Sequence, residues 1–530
     1  MEELDRSLRT LDSRKLAWAR LPIGTKIRYL EAVRENTHAA GPQWVRSASA
    51  AKHIPAGSPL AGEEWLAGPY ALLYCINRYI KTLRDVLANR TPSLPRDAVR
   101  ESSAEGTVVR VFPTTAYDRL LYAGITADVY VEPGITPERL VEGLASFYRL
   151  PEPAGEVALV LGAGNIASIA PLDALYKLFA EGAVCLVKLN PVNDYLGPIF
   201  QDIFEPFVTA GYLRFAYGGA GVGDYLSRHT LVKSIHLTGS KDTYEAVRAA
   251  IAPLGKRLTS ELGNVSPTIV VPGNWRERDF IFQAEHIVTQ KQHNAGFNCI
   301  ASQVLILPRD WEGTAKLLQE ISKLLRSRTP RYPYYPGANQ RTQALVGMRE
   351  NVSSFFRADG SNAADPMFHS EAFGAAFAYV DLPGNPPAYL RSAVQFANER
   401  LAGNLGANLV VDPRTQRTIR SEISQAIADL HYGCVGVNAW TGVGFFLAET
   451  PWGAARDSGH GDGARSVVHN AYFMEGTAKS VIRAPFRPFV KPPWFVTNRA
   501  AARVGKLLCD FEARPSPMRA CKVAFAALRG

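Results

Sequence analysis

Cys299 stands in His293-Asn-Ala-Gly-Phe-Asn-Cys-Ile-Ala-Ser, after a stretch with helical spacing and before an apolar run that reads as a strand. The loop contains a glycine, so a side chain there can turn toward a cleft. As thiolate, cysteine is the strongest nucleophile among the side chains, given a base or a lowered pKa. A lone cysteine is otherwise a small buried hydrophobe. Glu261, in Leu258-Thr-Ser-Glu-Leu-Gly-Asn-Val-Ser-Pro, is either a general base able to activate water or a satisfied carboxylate at an element end. Asn165 follows the apolar run Val157-Ala-Leu-Val-Leu, and Lys188 closes the next, Ala183-Val-Cys-Leu-Val-Lys-Leu. At such places an amide N–H can donate to a developing oxyanion and an ammonium can hold a ligand oxygen; a turn asparagine and a solvated lysine are the plainer alternatives.

The elements that must position these four residues are legible in the apolar periodicity. Residues 1–110 have mostly helical spacing, and Val108 to Pro133 turns to short β-rich runs. From Val157 onward apolar strands alternate with helices: strands at 157–161, 183–189, 213–217 and from Lys233, helices at 171–180 and 198–209. A second series follows, with strands at 268–271, 303–307, 376–380 and 408–411 and helices at 280–291 and 388–400. Such alternation implies parallel sheets covered by helices, and ligands of open α/β sheets bind outside the carboxyl ends of the strands. Asn165 and Lys188 are expected on that edge.

At 530 residues the chain exceeds the ~250–300 at which one core stops growing. Hydrophobic residues at 47% and charged residues at 20% fit a globular protein. No apolar run reaches the ~20 residues of a membrane span, and the acidic start Met-Glu-Glu-Leu-Asp lacks the order of a secretory signal. The expectation is a cytoplasmic protein. Six cysteines without a CxxC pair support neither a disulfide framework nor a zinc site, so no metal is expected. The net charge of +10 sits largely in residues 484–530, which hold nine Lys/Arg against two acids. The body is nearly neutral, which argues against a nucleic-acid partner.

Taken in order, the motifs resemble the aldehyde dehydrogenase superfamily from about residue 110 to 482. Gly164-Asn165 sits where that family places its oxyanion asparagine. Leu186-Val-Lys-Leu-Asn-Pro is similar to the strand whose lysine, here Lys188, holds the cofactor ribose. His236-Leu-Thr-Gly-Ser resembles F-T-G-S, where Gly239 and Ser240 open the helix beside the pyrophosphate. Glu261-Leu-Gly-Asn-Val-Ser-Pro is similar to the general-base segment, and Gly296-Phe-Asn-Cys to the nucleophile loop. Glu371-Ala-Phe-Gly resembles E-x-F-G, whose acid and aromatic, here Glu371 and Phe373, hold the nicotinamide riboside. Pro451-Trp-Gly-Ala-Ala-Arg-Asp-Ser-Gly-His-Gly resembles the family's closing motif.

The resemblance implies an α/β fold with a Rossmann-like cofactor domain (1–115 and 150–262), an α/β catalytic domain (263–465) and a small β oligomerisation element (116–149 and 466–483). Residues 484–530 follow as a basic, proline-rich extension. It implies NAD or NADP as cofactor, with Gly221 of the glycine-rich turn added to the cofactor residues, and a homodimer or homotetramer. The catalytic set is Cys299, Glu261 and Asn165, oxidising an aldehyde to a carboxylic acid through a thioester hydrolysed by water. A CoA-acylating enzyme and a catalytically silent scaffold or membrane-associated binding protein are the alternatives. Three departures bear on specificity. Pro191 replaces a glutamate frequent in NAD-preferring members, Ala163-Gly164 replaces proline-tryptophan and is expected to widen the mouth beside Asn165, and Phe297-Asn298 differ from the usual pair before the thiol.

Trp440, Phe445, Phe446 and Trp452 are expected along the substrate tunnel, favouring a bulky apolar aldehyde, with ordinary core packing as the alternative. In the extension, Val496, Ala500, Val504, Leu507 and Leu508 share one helical face and Arg499, Arg503, Lys506 and Asp510 another. Such a helix either makes peripheral membrane contact or packs on its own body.

Overall fold

The computed structural model describes residues 1–102, 106–347, 355–455 and 467–530. Strands β1 (Val99–Ser102), β2 (Gly106–Phe112) and β3 (Thr126–Val131) come first. They follow the long N-terminal helices Glu2–Ala19, Ile23–Ala51 and Ala71–Asn89. β4 (Val157–Leu161), β5 (Val184–Lys188), β6 (Leu213–Ala216), β7 (Val232–Gly239) and β8 (Arg257–Leu262) form a parallel sheet in the order β6-β5-β4-β7-β8. β4 and β5 are buried at every position, as strands covered on both faces must be.

A second, ten-stranded sheet is completed by β9 (Ser266–Val270), β10 (Ser302–Pro308), β11 (Phe355–Arg357), β12 (Phe377–Leu382), β13 (Gly406–Val410), β14 (Cys434–Val437) and β15 (Thr477–Arg483). Its order among the described residues is β1-β2-β3-β15-β14-β13-β9-β10-β12-β11. β15 pairs parallel with β14 and antiparallel with β3, so the antiparallel strands continue the second α/β sheet rather than forming a detached element. That antiparallel group begins at β1, inside a region whose apolar spacing reads as helical.

The expected helix over 198–209 is two helices, Gly197–Ile203 and Glu205–Ala210. Pro206 has no N–H to donate into a continuing ladder, so the chain restarts at Phe204.

The extension belongs to the body. Helix Ala501–Ala513 buries Val504, Leu508, Cys509 and Phe511. A Cβ at Gly62 would lie 2.5 Å from the Ala501 carbonyl carbon, and one at Gly505 would lie 2.6 Å from the Trp65 Cβ, so the two helices approach as only glycine permits. Val496 is buried, and its N–H donates to Thr289 Oγ1 at 3.2 Å. Of the two alternatives for this segment, packing on its own body is the one the structure supports, since the apolar face of the helix Ala501–Ala513 covers the N-terminal helices, and the possible membrane contact finds no support. No helix of the described residues is long and apolar enough to cross a membrane.

Candidate active site

The carboxyl ends of the parallel strands gather the predicted residues. β4 leads into Asn165, β5 ends at Lys188, β7 ends at Thr238-Gly239, and Glu261 on β8 lies directly opposite Thr238. Ser240 caps the helix Lys241–Ile251, its hydroxyl accepting from the Thr243 N–H at 3.3 Å. This places a helix N-terminus and Lys188 on the ligand edge of the sheet. Gly221 lies in the helix Ala220–Arg228, and a Cβ there would meet nothing within 4 Å.

Cys299 and Glu261 line one cavity together with Trp440, Phe445, Phe446 and Trp452. The rest of its wall is largely aliphatic, from Ala67, Ile166, Ile169, Ile300 and Val468. Three polar residues that sequence reasoning passed over also reach it: Asp173, Thr238 and His293. Asp173 reads as one polar interruption in a helix, and His293 as a loop residue. Only the tertiary structure brings them beside the thiol.

The thiol itself is held protonated. Burial raises its pKa well above the ordinary 9.0, and the carboxyls of Glu371 and Glu261 raise it further. Alkylation of the resting enzyme by iodoacetamide near pH 8 is accordingly expected to be at least about tenfold slower than that of a solvated thiol, and to rise with pH well past the usual range. Glu371→Gln removes one of the negative neighbours, so it should lower the thiol pKa and speed labelling at a fixed pH. An unchanged pH profile in the variant would separate Glu371 from the thiol.

The loop that carries Cys299 is strained and clamped. Asn294, Ala295 and Gly296 have φ of 53°, 56° and 83°, three left-handed residues in succession, two of them not glycine. A buried network holds them. Asn294 Nδ2 donates to the carbonyls of Asn165 (3.0 Å) and Phe297 (2.9 Å). Lys52 Nζ donates to Glu64 Oε1 (2.8 Å), Asn294 Oδ1 (3.0 Å) and the Asn165 carbonyl (3.2 Å). Tyr334 Oη donates at 3.1 Å to the same two oxygens. Glu63 accepts from the Asn294 N–H at 3.1 Å and pairs with both terminal nitrogens of Arg331, at 3.0 and 2.9 Å.

Burial alone would raise the Glu63 pKa, but Arg331, then His293, bring it down to about 2. Its folded value lies below the ordinary 4.5, so its stabilisation is fully present above about pH 4.5 and is lost as pH falls through 2. Glu63→Gln leaves the Arg331 guanidinium buried against a neutral partner, and the expected loss is about 3–5 kcal/mol, read as a lowered Tm at neutral pH. The deficit against wild type should shrink between pH 4.5 and 2, where the wild-type carboxylate is itself neutralised.

Asn165 is 5% exposed, and its Nδ2 donates to the Phe297 carbonyl at 2.9 Å. It is not among the cavity-lining residues. One of its two amide hydrogens is thus committed to the nucleophile loop. The mouth beside it is not widened by Gly164. A Cβ at that position would lie 2.6 Å from Asn190 Oδ1 and 2.9 Å from Val192 Cβ, so the turn after β5 fills the space.

The residues expected at a dinucleotide fit one. The Glu371 carboxyl Oε1 is buried without a partner, where a ribose hydroxyl would supply a donor, and burial raises its pKa to about 7, opposed by the Asn264 N–H and Lys291. A Cβ at Gly263 would lie 2.1 Å from Glu371 Oε2, so glycine lets the carboxyl seat there. Phe373, with φ of 34°, packs its ring against Phe297 at 5.6 Å and Tyr335 at 4.9 Å. The Lys188 pKa is lowered by burial, against an opposing pull from Asp194. The closing motif begins at Pro451, and its residues 456–461 lie outside the described residues.

With this geometry in place, comparison with known proteins is direct. The fold is that of the aldehyde dehydrogenases. The enzyme from Pseudomonas syringae, solved as a cysteine-to-alanine variant with NAD+ and octanal, superposes with a TM-score of 0.60 at 17% identity, covering 92% of this chain and 90% of that one. The aldehyde dehydrogenase of Brucella melitensis biovar abortus gives 0.60 at 16% identity, covering 92% and 90%. Residues 126–334 match the family model of the aldehyde dehydrogenase family. Among curated relatives, aldehyde dehydrogenase LUC3 of Fusarium sp is 30% identical over 163 residues, 30% of this chain and 32% of that protein. The NADP(+)-dependent D-glyceraldehyde dehydrogenase of Picrophilus torridus is 24% identical over 271 residues, 49% and 50% of the two chains. The matched stretches thus span from about a third to half the length of these two relatives.

Proposed function

We propose that the protein is an NAD- or NADP-dependent aldehyde dehydrogenase that converts an aldehyde with an apolar body to its carboxylic acid. The observation that carries this reading is the pairing of Cys299 with Glu261 in one cavity walled by aromatic and aliphatic side chains, beside the ligand edge of the parallel sheet. The Cys299 thiol loses its proton to solvent, and the sulfur adds to the carbonyl carbon. The second amide hydrogen of Asn165 and the backbone N–H of Cys299 stabilise the negative charge on oxygen, at about 3–4 kcal/mol per donor. Lys188, Gly239, Ser240, Gly221, Glu371 and Phe373 hold the dinucleotide, whose oxidised nicotinamide accepts the hydride when bound. Glu261 then deprotonates a water that hydrolyses the thioester on Cys299.

Pro191 puts no carboxylate where a 2′-phosphate would have to lie, which is compatible with either dinucleotide. We further propose a homo-oligomer assembled through β1, β2, β3 and β15, in which β1 leaves a strand edge for pairing. The test is reduced-nicotinamide formation from a panel of aldehydes with NAD or NADP, with and without coenzyme A. CoA-independent turnover is the expected result. Turnover only with the thiol cosubstrate would move the enzyme to the acylating class, and none at all would leave a binding protein.

A further inference from the structure

We propose that the substrate tunnel is built for an aldehyde that carries a hydroxyl group on its apolar body, met by Asp173 on one side and by His293 with Trp440 on another. This rests on the oxidation of aldehydes at Cys299. Apart from Cys299 and Glu261 the tunnel wall is largely hydrocarbon, and among its few other polar residues Thr238 and Asn298 are hydrogen-bonded within the protein. Asp173, 1% exposed, accepts from Thr238 Oγ1 at 3.2 Å through Oδ2, while Oδ1 has no partner. His293 is also 1% exposed, and neither ring nitrogen has a partner. Its ring lies 4.8 Å from that of Trp440, whose Nε1–H is buried and unpaired as well. Buried polar groups are nearly always hydrogen-bonded, so three unmatched ones around one cavity mark where a ligand completes them.

Their chemistry selects the ligand group. Burial keeps the His293 ring neutral, with a pKa of about 4, so it offers one donor and one acceptor. The Trp440 indole only donates, and Asp173 Oδ1 accepts. A methyl group answers none of these. An ammonium ion could serve Asp173 but not the indole N–H, and Lys52 and Arg331 lie within electrostatic reach of His293 and disfavour a second cation there. A hydroxyl both donates and accepts. A site that hydrogen-bonds a substrate hydroxyl discriminates strongly against the analogue lacking it, because its own polar atoms are then left unpaired.

Matched aldehydes test this: para-hydroxybenzaldehyde against benzaldehyde, omega-hydroxyhexanal against hexanal, and para-aminomethylbenzaldehyde as the cation. Wild type should favour at least one hydroxylated member over its parent by about tenfold or more in kcat/KM. Asp173→Leu or His293→Phe should bring that ratio to within about twofold, since each removes one side of the match. A parallel readout needs no turnover. The amide para-hydroxybenzamide should raise the Tm of the Cys299→Ser enzyme more than benzamide does, and the difference should vanish on adding either tunnel substitution. Oxidation of the parents as readily as the hydroxylated aldehydes, with equal Tm shifts, would overturn the inference and leave the dehydrogenase reading intact. So would preference for the cation, or a ratio that survives in both variants. A selective Tm shift without oxidation of any aldehyde would uphold the hydroxyl site and overturn the reaction.

Discussion

Cys299→Ala should abolish aldehyde oxidation, with a fall in kcat of about 10⁴-fold or more, because no other thiol lines the cavity. The remaining described cysteines cannot substitute. Cys75, Cys185, Cys434 and Cys509 are buried elsewhere, and Cys521 is exposed on the C-terminal helix Pro517–Ala527. The substitution deletes one sulfur from a residue that already opens onto a cavity, so the fold should persist. Wild-type Tm and dinucleotide binding in the inactive variant would confirm that chemistry alone was lost. Turnover within about tenfold of wild type would mean that the thiol is a wall of the tunnel and not its nucleophile.

Glu261→Gln should produce a different failure. Glutamine keeps the size of the side chain but cannot accept a proton, and loss of a general base typically costs 10²–10⁴-fold, so steady-state turnover should fall by about a thousandfold. If the carboxylate serves mainly the hydrolytic half, one equivalent of reduced nicotinamide should form before turnover stalls. Intact-mass measurement should then find the acyl group on Cys299. The variant also removes a negative neighbour that raises the thiol pKa, so resting alkylation should be faster than in wild type. That acceleration distinguishes electrostatic relief from simple damage, which would slow labelling and turnover together. Full turnover in the variant would exclude Glu261 as the water-activating base.

Both predictions concern residues whose types and order along the chain already carried their chemistry. Apolar periodicity also located the strands β4 to β7, most plainly β4 and β5, which are buried at every position and so read as near-continuous apolar runs, a demand that is local. Alternation of strands and helices implied parallel sheets, hence the edge on which Asn165, Lys188 and Gly239 stand. What the local signals left open was decided by contacts distant in sequence. The spacing after Val496 allowed a membrane face or a packed one, and Gly62 and Gly505 resolve it by letting the helix Ala501–Ala513 approach Gly62 and Trp65. Gly164 looked like a gap until the turn at Asn190 and Val192 filled it. Glu63, Lys52 and Arg331 carry no motif, yet they clamp the left-handed loop before Cys299 from positions 30 to more than 200 residues away. Asp173 and His293 face the tunnel only because two separate sheets meet there. Hydrophobic pattern and reactive residue types are written along the chain. The pairing of buried charges and the polarity of a cavity depend on which distant side chains share a desolvated volume, and only the packed structure determines that.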